Sequence, residues 1–482
     1  MDLKDLTANR AAEAVNNKEI SARRLIEAIL EHTEQVNKKL NTFTCLAGDE
    51  VLEKADIVDQ QIKNGFSLPL AGVALAVKDN YCYSALPTSF GSAAFKGHIT
   101  PYTASAVEKL TGAGAVVIGK TNIDDMGIGS ATATSHDGPS LNPWDQQKLA
   151  GSAGAAAVAA GQCLLALESD SGGALRQGAS HCGVFGLRPT PGRVSRYGLN
   201  LFSGSFGRPA IAAAAPADMS IGLQVLSGYD ERDVLTSVCH EPQGNIWPEK
   251  NPAKITIAFP EEIADLSGSE TAEQLKLFRS NASEKGFATV ECSLKLLPEA
   301  LRAYYVIAYA ETSSSFARYD GIRFGQAAEA GDLEELYTKT RCLTFGHEAR
   351  RRSVFGTYLL SKGGFEPYYR QALKIWAMVK QDFDRVFTSC DILALPVVEA
   401  LTRPAGSTFD FLELCEDDLY TSSVSMAGLA SVCLPFGFKA GMPAGIQLAG
   451  RPFSDEILIY AAGLLSPEIK FPPAVSLKGE VE

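Results

Sequence analysis

Residues 168–183 read ESDSGGALRQGASHCG, a run of small side chains set between the flanking Asp170 and Arg176. Gly172 and Gly173 allow backbone N–H groups to converge on one point, which is how an oxyanion site is made without side chains. A loop of this kind exists to present and activate a nucleophile, yet the position after the glycines is Ala174, which has no nucleophilic atom. Taken alone, Gly172-Gly173 reads equally as a tight turn.

Two other stretches carry chemistry. AVKDN, residues 76–80, puts Lys78 at the end of an apolar strand, where desolvation favours a neutral amine usable as a general base. A solvated lysine just past a strand end is the plainer alternative. GSAGAAAVAAG, residues 151–161, sets Ser152 in a Gly/Ala loop ahead of a small-residue helix, and on composition alone such a helix serves to pack closely against a sheet.

Strand and helix signals alternate around these stretches. LPLAGVALAVKDN suits a buried strand, ASAVEKLTGAGAVVIGKTN reads as helix, glycine turn and strand, and KITIAF, CDILALPV and AGIQLAG are further short apolar runs. The alternation argues for an α/β sheet covered by helices. Residues 1–65 read instead as a helical arm. Ser21 is a plausible N-cap for ARRLIEAILEHTEQVNKKL, in which Leu25, Ile26, Ile29 and Leu30 share a face, and DEVLEKADIVDQQIKNG ends at a glycine. The remainder, 66–482, reads as one large domain, with a polar, proline-interrupted surface excursion near 240–254.

The chain of 482 residues has a formal net charge of -12, which argues against a surface made for nucleic-acid backbones. Its 10 cysteines occur singly with no CxxC pair, so buried free thiols are expected, not a disulfide framework or a zinc site. The N-terminus lacks a signal pattern and no apolar run approaches membrane-spanning length. A cytoplasmic protein with no cofactor, no metal and no membrane contact is expected.

The stretches already quoted, taken in order with GKTNIDDMGIGS, NPWD, ARYDGIRFG, RRRSVFGTYLLSKGG and PAGIQLAGRPF, resemble the amidase signature family over nearly the whole length. Within that family the sequence is most similar to the branch formed by the A-subunits of glutamyl-tRNA(Gln) amidotransferase. The resemblance implies a single α/β/α domain around a mixed, curved sheet, behind an N-terminal helical arm. It also implies amide cleavage by a Ser-Ser-Lys triad, with Lys78 at the base position and Ser171-Gly172-Gly173 as the oxyanion loop. Asp170 and Arg176 match the pair that braces the loop. Arg352 and Asp418 match the residues that hold the α-carboxylate and α-amine of glutamine, a pairing that suits a free amino acid.

The departures are as specific as the matches. The nucleophile position is Ala174, the bridging-serine loop is shortened to AGSAG so that its serine falls on Ser152 or is lost at Ala150, and Ala133 stands where the branch carries an acid. Loss of a triad nucleophile removes roughly 10⁶ in rate. The sequence is therefore read as a pseudo-amidase, a binding or assembly subunit that keeps the scaffold. Its implied partners are amidotransferase subunits B and C and a small amide or amino-acid ligand, with no direct nucleic-acid contact. The alternative is an active amidase or glutaminase with a relocated nucleophile, Ser171 or Ser152. His181 and Cys182 follow the loop, and Cys182 is read as packing.

Overall fold

The structure is a computed structural model that describes residues 6–236, 251–323, 325–407 and 411–467. Its centre is an 11-stranded sheet: β1 (Phe43–Leu46), β2 (Ala74–Lys78), β3 (Val116–Thr121), β4 (Leu165–Asp170), β5 (Phe185–Arg188), β6 (Arg208–Ala213), β7 (Thr256–Pro260), β8 (Ala288–Cys292), β9 (Ile392–Pro396), β10 (Ala430–Lys439) and β11 (Met442–Gly450). Across the sheet the order is β1-β3-β2-β4-β6-β5-β10-β11-β9-β7-β8. β3, β2 and β4 run parallel, as do β9, β7 and β8, while antiparallel pairings join β4 through β6, β5, β10 and β11 to β9. The mixed α/β architecture expected from the sequence is the one observed.

Every residue of β2, β3, β4 and β11 is buried. Successive strand side chains point to opposite faces, so both faces of the sheet's centre are covered. This is why those strands read as continuous apolar runs with no alternation. The covering helices include Ala153–Ala159 and Ala174–Cys182, which pack on one another and on β4, and Pro216–Leu226 with Asp455–Leu465.

The N-terminal helices follow the sequence signals closely. Ser21 caps the helix Ala22–Leu40, its Oγ accepting from Arg24 N at 3.1 Å, and Leu25, Ile26 and Ile29 are buried. The helix Glu50–Lys63 stops one residue short of Gly65, whose φ of +90° suits a chain reversal. Between them β1 pairs antiparallel with β3, so this segment also supplies the edge strand of the main sheet. The surface excursion near 240–254 falls largely outside the described residues.

The small-residue helix owes its composition to contact. A Cβ on Gly154 would lie 2.1 Å from Glu168 Oε1, and one on Gly178 would lie 2.3 Å from Ser152 Cβ. No helix among the described residues is long and apolar enough to cross a membrane, and all the cysteines described are free.

Candidate active site

β2 and β4 are parallel neighbours with Val77 opposite Leu167, which sets the next residues, Lys78 and Glu168, side by side at the strand ends. Lys78 Nζ donates to Glu168 Oε2 at 2.7 Å and lies 3.5 Å from Ser169 O. Glu168 is fully buried and Lys78 is 7% exposed. Thr121 Oγ1, at the end of β3, is 3.4 Å from the other Glu168 oxygen. Tyr81 OH donates to the Glu168 carbonyl and Asn80 Nδ2 to Ser169 Oγ, tying the turn after β2 to β4.

Beyond β4 the chain turns through Ser171, Gly172 and Gly173 into the helix Ala174–Cys182. Gly173 is the N-cap at φ +140°, and a Cβ there would sit 2.1 Å from Thr421 Oγ1; on Gly172 it would sit 2.6 Å from Tyr304 OH. Neither position tolerates a side chain, so the backbone of the loop is pressed against Tyr304 of the helix Leu297–Phe316 and Thr421 of the helix Leu419–Ala427.

Behind the loop, Arg176 Nη2 donates to Asp170 Oδ1 at 2.7 Å and its Nε to Oδ2 at 3.1 Å, with both side chains wholly buried. Arg176 also reaches Thr421 O, Gln447 Oε1 and Ser425 Oγ. Burial pushes the Asp170 carboxyl up, but Arg176 and the nearby Arg188 outweigh it and hold the group below the usual carboxylate range. Arg188 itself is pushed down to about 9, chiefly by burial and then by Arg176.

These elements form one wall of a cavity of about 330 Å³ whose lining includes Lys78, Ser171, Gly172, Gly173 and Ala174. Arg352 and Asp418 line it too, from the helix His347–Leu360 and the N-cap of Leu419–Ala427. Arg352 Nε donates to Glu348 Oε1 at 2.7 Å, and its guanidinium lies 5.2 Å from the Tyr309 ring centre and 5.5 Å from that of Phe202. Burial opposes its charge, and Glu348 more than restores it, so Arg352 titrates above its ordinary range. Asp418 accepts from Tyr305 OH at 2.8 Å and Gln177 Nε2 at 2.7 Å, yet burial leaves its carboxyl at about 6. A buried guanidinium and a buried carboxylate on one cavity, each fixed by aromatic neighbours, can hold the two charged ends of an amino acid.

Of the residues singled out in the sequence, Lys78, Ser171, Gly172, Gly173, Ala174, Arg352 and Asp418 share this cavity, with Asp170 and Arg176 directly behind it. Ser152 stands apart. Its Oγ accepts from Ala155 N at 3.2 Å as the N-cap of its helix, and it does not line the cavity although Gly151 does. Cys182 is buried with Sγ 3.4 Å from Ala150 O, and burial pushes its thiol up and the His181 imidazole down to about 4. Ala133 is on the cavity wall, its N–H donating to Asp124 Oδ1. Among the described residues no group of side chains could hold a metal ion.

The sequence reading did not single out Glu168. Its signal was available: a carboxylate that follows three apolar residues in β4, two positions before Asp170. Tyr305 and Glu348, which fix Asp418 and Arg352, carried no local signal at all.

The amidase family model matches residues 24–459. The chain is 39% identical over 453 residues to the A-subunit of glutamyl-tRNA(Gln) amidotransferase from Symbiobacterium thermophilum, covering 92% of this chain and 93% of that protein. It is 38% identical over 470 residues to the same protein from Moorella thermoacetica, covering 96% of each. The crystal structure of its counterpart from Thermotoga maritima superposes with a TM-score of 0.81 at 27% identity, covering 99% of both chains. With the family model over residues 24–459 and relatives along nearly all of its length, this chain is a member of the amidase signature family, similar to the A-subunits of glutamyl-tRNA(Gln) amidotransferase.

Proposed function

We propose that the chain is an amidase-fold subunit that keeps an amino-acid pocket and has lost the hydrolytic step. One observation carries the reading: the first residue of the helix behind the Gly172-Gly173 loop presents a methyl, Ala174, to the cavity, while Lys78 on the same cavity is closed onto Glu168. By resemblance Ala174 occupies the nucleophile position and Lys78 that of the base. A methyl cannot attack an amide, and an ammonium bonded to a carboxylate has no lone pair with which to take a proton. Either change alone disables a serine-lysine mechanism.

The name of the relatives suggests the setting. The A-subunit of a glutamyl-tRNA(Gln) amidotransferase works within an assembly, so the partners that fit this chain are subunits of the B and C type. Its net charge of -12 agrees with leaving tRNA contacts to another chain. Ser171 also lines the cavity and is the hydroxyl that an active, rearranged site would use.

Ammonia release from glutamine and simple amides, compared for the wild type, Ser171→Ala and Ser152→Ala, tests the reading. No turnover above background in any of them is expected. Turnover that disappears in one serine variant would overturn it and identify the nucleophile.

A further inference from the structure

Lys78, held by Glu168, sets a cation on the cavity wall beside a loop of backbone N–H groups. We propose that the ligand class is an α-amino acid bearing a second carboxylate on its side chain, with that carboxylate against Lys78 and the loop Ser171-Gly172-Gly173. This rests on the reading of the chain as a non-hydrolysing subunit and goes beyond it by naming what is bound.

The donors of the Lys78 ammonium set what can meet it. Of its three N–H groups, one meets Glu168 Oε2 at 2.7 Å and a second points toward Ser169 O at 3.5 Å. Lys78 also lines the cavity, which leaves its remaining donor for a ligand. Glu168 does not line the cavity: its other oxygen faces Thr121 Oγ1, and its carboxylate fills the space beside Gly154. The carboxylate therefore sits behind the lysine and the positive end of the pair faces the ligand. Gly173, at the N-cap of the Ala174–Cys182 helix, contributes no side-chain acceptor, so the same corner presents the positive end of a helix.

Apart from Asp418, the acids on the cavity wall are held by groups of the protein itself. Asp124 accepts from the N–H groups of Thr132, Ala133 and Thr134, and Asp125 from Gly346 N. Glu348 is bonded to Arg351 and Arg352. Asp418, held by neutral donors, keeps its charge for an α-ammonium, and Arg352 faces an α-carboxylate; Arg351 is drawn onto Glu348 and Tyr309 OH, so Lys78 is the cation for a third charged group. A side-chain amide can turn only its carbonyl oxygen to these donors and leaves its NH2 group among them, whereas a carboxylate accepts with both oxygens and carries the opposite charge.

The test is calorimetric titration of the purified protein with glutamate and with glutamine, beside Lys78→Met/Glu168→Gln, which removes both charges without stranding either. Glutamate is expected to bind the wild type about tenfold more tightly than glutamine, the usual gap between a charge-assisted and a neutral hydrogen bond. In the double variant that ratio should fall to about 1. Equal binding, tighter glutamine binding, binding of neither, or a ratio that persists in the double variant would overturn the inference. Ammonia assayed in the same titration cell separates the two claims: its release would sink the non-hydrolysing reading, whereas its absence with a wrong affinity order sinks only the ligand assignment.

Discussion

Lys78 Nζ lies 2.7 Å from Glu168 Oε2 at the ends of two adjacent parallel strands, with the carboxylate wholly buried and the ammonium open only to the cavity. Breaking such a pair on one side strands a charge in the interior, which costs about 3–5 kcal/mol, whereas removing both charges is often near neutral. Lys78→Ala should therefore lower the urea midpoint steeply, while Lys78→Met/Glu168→Gln should stay much closer to the wild type. Equal destabilisation by the two would contradict the burial of the pair.

The same pair predicts how hard the site is to revive. Ala174→Ser restores a hydroxyl on the cavity wall, but Lys78 on the same cavity remains bonded to Glu168. Ammonia release by Ala174→Ser should remain at background. Adding Glu168→Gly frees the amine, and the double variant should exceed the single by about tenfold or more, a modest share of what a positioned general base contributes. Full activity in Ala174→Ser alone would show that Glu168 does not restrain Lys78.

Gly173 makes a local test of the loop. Its φ of +140° disfavours any side chain, and a Cβ would stand 2.1 Å from Thr421 Oγ1. Strain and overpacking each cost about 1–3 kcal/mol, so Gly173→Ala should lose about 2–6 kcal/mol in chemical unfolding. Gly204→Ala, with nothing within 4 Å of the added carbon and no positive φ, should fall close to the wild type.

Asp218 gives a pH signature. It lies buried on the helix Pro216–Leu226, with Oδ1 accepting from Asn9 N at 2.8 Å and Oδ2 without a hydrogen-bond partner among the described residues. Burial pushes its carboxyl up to about 6, only partly offset by the N–H groups of Asn9 and Ala8. A raised carboxyl adds stability when protonated, so its contribution is complete below pH ~4 and is lost as pH rises through about 6. Asp218→Asn keeps the acceptor without the charge. Thermal melts should show this variant gaining on the wild type between those limits, by on the order of 2 kcal/mol at neutral pH. A constant difference across that range would contradict the raised carboxyl.

Much of the fold was legible because its signals are local. Ser21 before Ala22–Leu40, the glycine after Glu50–Lys63, and the helix and apolar strand on either side of the Gly114 turn each read from a few residues. The place of β1 at the sheet edge was not legible, since a four-residue strand between two helices acquires its meaning only from its partner β3. The site divides in the same way. The loop and Lys78 announce themselves in short motifs, whereas Ser152 reads as a possible relay in sequence and is spent on a helix N-cap in space. Glu168 became significant only once strand register set it beside Lys78. The aromatic setting of Arg352, from Tyr309 and Phe202, joins residues far apart in the chain and leaves no local trace.

Whether a competent nucleophile faces the amino-acid pocket is read by intact-mass spectrometry after incubation with an electrophilic diazoketone analogue of glutamine. The account predicts an unmodified chain under conditions that label a hydrolytically active relative stoichiometrically. A one-to-one adduct that maps to Ser171 and vanishes in Ser171→Ala would contradict it.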